Sequence, residues 1–345
     1  MAARTKRTTD RRAAAIAWRH TVDSLICESA EPWEHGTVLR TPSAPGYWDA
    51  IIGAGKPIDT DKYFVISADT LTNVNTRDPN VVTTGPATVD PATGKPYGMS
   101  FPVVAYRDSV RVHKALVDAL GVKKLHAVVG ASGGSIQAME WAALYPDFVP
   151  RVVHVIGPGF EITPYILEMV DIWTLPIRLD PRWNKGDYYG KDEPVDGVGQ
   201  ALTLVTYTTR HFGWAEKTFG YKWADPARDP GQSIDNRFAI EDTLVKGGAA
   251  RAKSADANAL IYTARANQLY RLTEDEVKAM KARILFMPAR SDLVFPPILS
   301  ERAAARYRAQ GGTAEVVIIE GEGGHLDGLL NIVPQGEAIR AFLAK

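Results

Sequence analysis

The chain has 345 residues, 45% of them hydrophobic and 23% charged, with 40 Lys/Arg set against 40 Asp/Glu. That balance excludes a global field that would recruit nucleic acid, an anionic membrane or an acidic substrate. A single cysteine, Cys27, excludes an internal disulfide framework and a zinc–thiolate cluster. No apolar run is long enough for a bilayer span or a signal-peptide core, so the cytoplasm is the expected location.

The first twenty residues hold six Lys/Arg against one Asp. This favours an atypical or disordered start over an organellar transit peptide. From Gly46 onward, Y-F-V-I-S (63–67) and H-A-V-V-G (126–130) are short β-branched runs ending at polar or glycine residues. Such runs predict buried parallel strands. Between them Val110, Leu116/Val117 and Leu120 recur at helical spacing ahead of Gly121, a C-terminal cap. Strand, helix, strand predicts a βαβ unit with a right-handed crossover.

R-V-V-H-V-I-G (151–157) is the next strand. Strand signals then stop from about Pro158 to Lys281, a stretch rich in Asp, Pro and Gly that holds four of the eight tryptophans: Trp173, Trp183, Trp214 and Trp223. Strands resume at 283–289 and 314–320, and a helix from Pro334 to Leu343 closes the chain. The predicted fold is α/β, a mostly parallel sheet flanked by helices. The core is expected over 45–157 and 282–345, with an inserted helical lid over 158–281 and an atypical segment at 1–44.

G-A-S-G-G (130–134) lies between the strand V-V-G and the helical run S-I-Q-A-M-E-W-A-A-L. This is the context a G-x-S-x-G nucleophile elbow requires. So tight a turn needs small residues beside Ser132, and it aims the following helix N-terminus at the hydroxyl. The Gly133 N–H is then the expected oxyanion donor. A serine hydroxyl needs a base, and the base needs an orienting acid. In this fold they follow in the order Ser, acid, His, each after a late strand. Asp292 follows the strand at 283–289, and His325 follows the strand at 314–320 inside G-E-G-G-H-L-D-G. Glu320, Glu322 and Asp327 are alternative acids, disfavoured because they share the histidine's own strand or loop. His113 and His154 fall within a helix and a strand and are expected to be structural. The turns G-A-G-K-P (53–57) and G-K-P-Y-G (94–98) lack the spacing of a nucleotide site.

G-Y-W-D-A-I-I-G-A-G-K-P-I-D-T-D-K-Y-F-V-I-S (46–67), T-T-G-P-A-T-V-D-P-A-T-G-K-P-Y-G-M-S-F-P (83–102) and the elbow through Y-P-D (145–147) resemble the homoserine O-acetyltransferase group of α/β-hydrolases, from about residue 45 onward. The resemblance implies an α/β-hydrolase core with a helical lid, acyl transfer through a serine ester, dimers, no cofactor, and Ser132, Asp292 and His325 as triad. The group includes acyl-CoA-dependent acyltransferases acting on hydroxy amino acids and plain carboxylesterases acting on small acyl esters.

Three departures weigh on the choice. The elbow reads G-A-S-G-G-S, where acetyltransferases of the group typically carry Met after the serine. Behind the histidine they resemble G-H-D, whose aspartate can meet a substrate ammonium; here Leu326 takes that place, and an apolar residue cannot compensate a buried charge. This favours a neutral ester, unless Asp327 restores the pairing. Arg210, in the lid, is a candidate for the substrate side. The third departure is the N-terminus, where the group's strand ends in a loop supplying the second oxyanion N–H. D-S-L-I-C-E-S-A (23–30) is a poorly matching candidate for that strand, with Ser29 or Ala30 near the oxyanion position, and a wrong start, an altered frame or a truncation would each produce such a segment. Loss of one oxyanion donor costs about two to three orders of magnitude in turnover. A catalytically impaired homologue is therefore the further alternative to esterase and acyltransferase.

Overall fold

The computed structural model describes residues 23–28, as backbone, together with 46–79 and 81–345. Six strands form one sheet in the order β2-β1-β3-β4-β5-β6. They are β1 (Asp23–Glu28), β2 (Tyr63–Ile66), β3 (Ala127–Ala131), β4 (Arg151–Val155), β5 (Arg283–Met287) and β6 (Ala314–Val316). Strands β3 to β6 run parallel, with Val129 beside Val153 and Val153 beside Leu285.

The expected βαβ unit needs correction. Strand β2 does run in the same sense as β3, but β1 lies between them, antiparallel to both. Helix α1 (Tyr106–Ala119) therefore crosses over an intervening strand rather than joining neighbours. Gly121 closes that helix as expected, at φ +78°, which an L side chain rarely adopts. Strand β2 is half-buried at the edge of the described sheet, not a fully covered central strand. The segment 23–28 does supply a strand. Its direction puts Asp23 beside Gly130 and Ile26 beside Ala127, so its start, not its end, lies nearest the elbow. Ser29 and Ala30, expected near the oxyanion position, lie outside the described residues.

The strands are covered on both faces, and their period of two decides which side chain goes where. Val128, Val152, Ile284 and Phe286 face one cluster, completed by Val110 and Val117 of α1 and by Ile136 and Met139. Ala127, Val129, Val153, Leu285 and Met287 face the other, with Trp48, Ile51 and, from the last helix, Ile339 and Phe342. That last helix spans Gly336–Ala344, two residues inside the expected start because Val333–Gln335 form a 3₁₀ turn.

Between β4 and β5 the chain is helical, as the missing strand signals implied: α2 (Gly133–Leu144) precedes β4, then come α3 (Pro164–Leu179), α4 (Val195–Thr208), α5 (Phe212–Thr218), α6 (Ala239–Ala252), α7 (Ala257–Gln268) and α8 (Glu274–Ala279). Ile177, Val198, Leu202, Ala252 and Leu260 make a separate apolar core there. The end of this stretch packs differently: Ala266, Tyr270, Leu272, Val277 and Met280 join the cluster that covers the sheet. Among the described residues no helix is long and apolar enough to cross a membrane.

Behind α2, the carboxylate of Glu140 is nearly inaccessible at 2% exposure and meets the Arg107 guanidinium at 2.9 Å, which also reaches Glu276 at 3.1 Å. Burial pushes the Glu140 carboxyl up to about 7 from 4.5, although Arg107 pulls it down. A proton held more tightly folded than unfolded adds stability at acid pH that is lost as pH rises from about 4.5 toward 7. Glu140→Gln, with Arg107 still paired to Glu276, is expected to flatten that slope, seen as a smaller Tm difference between about pH 5 and pH 8 than in the native protein. An equal difference in both proteins would remove Glu140 as its source.

Candidate active site

Ser132 follows β3 directly and begins α2 from a strained backbone, φ 56° and ψ −120°. Such a conformation costs on the order of 1–3 kcal/mol and persists only where the surroundings impose it. Here the Ser132 N–H donates to Val155 O at 3.0 Å, while Ser132 O accepts from the Ser135 N–H at 2.9 Å and the Ser135 hydroxyl at 2.5 Å. The flanking glycines answer to space. A Cβ on Gly130 would lie 2.1 Å from Gly134 O, and one on Gly133 would lie 2.6 Å from the Tyr106 hydroxyl. Because the obstacle at Gly130 is main chain, which cannot rotate away, Gly130→Ala is expected to cost about 3 kcal/mol by overpacking, measured as a lower denaturation midpoint. Native stability in that variant would show that the elbow is looser than its geometry.

The residues expected to act together are brought together. The Ser132 hydroxyl lies 2.8 Å from His325 Nε2, and His325 Nδ1 lies 2.7 Å from Asp292 Oδ2. A carboxylate only accepts, so the Nδ1 proton belongs to that bond and Nε2 is left to accept from Ser132. Asp292 is 2% exposed and its other oxygen accepts the Val294 and Phe295 N–H groups, at 2.8 and 3.0 Å. Three donors thus fix the carboxylate's orientation. Phe295 also sets its ring edge-on to the imidazole, 5.5 Å between centroids.

His325 sits in a 3₁₀ turn after β6, and its own N–H donates 3.0 Å to Thr209 O, at the end of α4. Gly324, at φ +75°, has no room for a side chain because Thr209 O would meet its Cβ at 2.7 Å. The helical stretch between β4 and β5 therefore touches the histidine's loop directly, a contact that no local sequence signal announces. It also brings in Arg210. That guanidinium stacks over the Trp214 ring at 4.6 Å, and its Nε is buried without a hydrogen-bond partner. Burial lowers its pKa, with Asp327 opposing.

Gly133 opens α2, where its N–H has no acceptor within the helix by position. Leu326, directly after His325, is half-buried. The alternative acids stand elsewhere: Glu320 pairs with Arg290 at the surface, and Glu322 lies exposed beside Gly213. His113 and His154 are structural as expected, His113 hydrogen-bonded to Asp69 O and His154 fully buried in β4. Among the described residues no group of three or more His, Cys, Asp or Glu is arranged to hold a metal ion. The two glycine-lysine segments are turns, closed by Gly55 N–H on the Asp59 carboxylate and by Asp90 N–H on Lys95 O.

A parallel sheet with a strained serine after β3 and an Asp and a His after two later strands defines an α/β-hydrolase, and the alpha/beta hydrolase fold family matches residues 22–331. The chain belongs to that family, within its homoserine O-acetyltransferase-like group. Homoserine O-acetyltransferase of Deferribacter desulfuricans is 34% identical over 93% of this chain and 85% of its own length. Among solved structures, esterase E22 is 40% identical with a TM-score of 0.83, over 95% of this chain and 89% of that one. Homoserine O-acetyltransferase from Bacillus anthracis is 29% identical with a TM-score of 0.84, over 96% and 87%. The family match begins at residue 22, so the likeness extends upstream of residue 45, where the motifs alone placed its start. Its relatives make this chain an enzyme. The curated ones favour acyl transfer over the ester hydrolysis that the sequence put first.

Proposed function

We propose that this enzyme works through an acyl-serine intermediate and transfers a short acyl group from an acyl-CoA thioester to the hydroxyl of a hydroxy amino acid. The observation that carries it is the hydrogen-bonded chain Ser132–His325–Asp292, at 2.8 and 2.7 Å. His325 Nε2 takes the Ser132 proton as Oγ attacks the acyl carbonyl, and the Gly133 N–H meets the developing oxyanion. Collapse expels the CoA thiolate, which receives that proton from the imidazolium. In the second half the acceptor hydroxyl gives its proton to His325 and attacks the acyl-serine, and Ser132 is regenerated. Asp292 holds the tautomer and stabilises the imidazolium throughout. No cofactor is required. Residues 158–281 act as the lid over this site, in a cytoplasmic homodimer.

Arg210 supports an amino-acid acceptor. A guanidinium stacked on Trp214, with a buried unpartnered Nε and beside the His325 loop, suits a carboxylate. Leu326 supports a second reading, hydrolysis of small neutral esters, because an apolar side chain next to His325 cannot pair with an ammonium group. The likeness to esterase E22 points the same way.

Purified protein given acetyl-CoA with and without L-homoserine, and separately a p-nitrophenyl acyl ester, separates these readings. Thiol release that depends on homoserine and yields its O-acyl ester supports transfer. Ester turnover indifferent to homoserine supports hydrolysis. No turnover and no fluorophosphonate adduct on Ser132 would sink both and leave the impaired homologue.

A further inference from the structure

Asp327 lies two residues beyond His325 and is 7% exposed. Its Oδ2 accepts the Gly323 N–H at 2.9 Å and faces the Ser291 hydroxyl at 3.3 Å. Ser291 Oγ in turn accepts the Gly324 N–H at 3.0 Å, so its own proton is directed to Asp327. Ser291 immediately precedes Asp292, and Gly324 immediately precedes His325. The two loops that must hold the acid and the base 2.7 Å apart are thus clasped by one serine and one buried carboxylate.

The glycines of this loop fit the same device. A Cβ on Gly321 would lie 2.4 Å from Asp327 Oδ2, and one on Gly323 would lie 2.5 Å from Oδ1. The segment from 321 to 324 is wrapped around the carboxylate. Burial raises the Asp327 carboxyl above its ordinary range, while the Gly323 and Ser291 hydrogen bonds and the Arg210 charge draw it down. A group kept buried at that cost, with donors supplied for it, is placed to hold something.

We propose that Asp327, acting through Ser291, is a positioning residue that sets the His325–Asp292 geometry. It does not touch the substrate, and it does not take the place of the ammonium-binding aspartate displaced by Leu326. The inference rests on the acyl-serine reading, since only that chemistry needs the pair held so closely. Displacement of a catalytic group by 1 Å costs about a hundredfold in rate. On that scale Asp327→Ala is expected to lower kcat about a hundredfold, and Asp327→Asn and Ser291→Ala about tenfold each.

The experiment measures kcat and KM for the substrate that the native enzyme turns over, normalised to folded protein. It also records the far-downfield proton resonance of the His325 Nδ1–H···Asp292 bond, assigned by its loss in His325→Ala. The proposal expects kcat to fall with KM little changed, partial rescue in the order Ala below Asn below native, and a shifted or broadened resonance in all three variants. Native kcat with an undisturbed resonance in Asp327→Asn and Ser291→Ala would overturn it. So would loss of thermal stability with kcat per folded molecule retained, which marks a merely structural carboxylate. If the native protein has no turnover, the acyl-serine reading fails on that arm, and the resonance still decides whether Asp327 sets the pair. Because Ser291→Ala removes a single oxygen and leaves the Asp327 carboxylate and its Gly323 bond in place, it keeps the test available if Asp327→Ala does not fold.

Discussion

Replacing Ser132 with alanine is expected to lower turnover by about four to six orders of magnitude and to abolish labelling by a fluorophosphonate probe. The Ser132 hydroxyl is the atom that His325 Nε2 approaches at 2.8 Å, and no second hydroxyl is hydrogen-bonded to that nitrogen among the described residues. Residues that act as one unit lose their function together, so Ser132→Ala and Ser132→Ala/His325→Ala should show nearly the same residual rate. Folding should survive, because the elbow is held by the main-chain bonds of residue 132 to Val155 and Ser135 rather than by its side chain. Intact-mass analysis of the probe reaction checks the first claim. A fluorophosphonate adduct retained in Ser132→Ala would assign the nucleophile elsewhere and dismantle the proposed chemistry.

Asp292→Asn is expected to lower kcat about ten-thousandfold while leaving the fold in place. The reason is local. Asp292 Oδ1 accepts two main-chain N–H groups, so an asparagine there must turn its oxygen to Val294 and Phe295 and its NH2 toward His325. Nδ1 would then have to accept, which moves the imidazole proton to Nε2, where it opposes the Ser132 hydroxyl instead of receiving its proton. Steady-state kinetics with the preferred acyl donor measures this. A loss of less than tenfold would mean that another group sets the tautomer.

Much of this site could be read along the chain because each part is announced locally. Gly130, Gly133 and Gly134 crowd around one serine between an apolar run and a helical run, and that crowding is a short-range steric fact. Asp292 and His325 each follow a short apolar strand, and a parallel sheet delivers the ends of its strands to one edge. The helices between β4 and β5 are legible as an absence of strand signals.

Other features depend on contacts distant in sequence. Strand β1 shows no local sign of its partner or direction; both are set by pairing with β2 and β3, the latter some hundred residues away. The glycines of the His325 loop read as general looseness, yet Gly321 and Gly323 make room for the Asp327 carboxylate, and Gly324 makes room for Thr209 O from α4. In the sequence Asp327 reads as a spare acid or an ammonium partner, and only the fold brings Ser291 from the neighbouring loop to its carboxylate.

By itself, then, the sequence determined the fold class, the tight turn at Ser132 and the placement of Asp292 and His325 just after late strands, because those follow from backbone sterics and from the periodicity of strands and helices. Tertiary structure alone decided the neighbours of β1, the contact between the end of α4 and His325, and the hydrogen bonds that join the Asp292 and His325 loops. Each of these is a hydrogen bond or close approach between segments far apart along the chain, and no residue's own neighbours encode the distance to its partner.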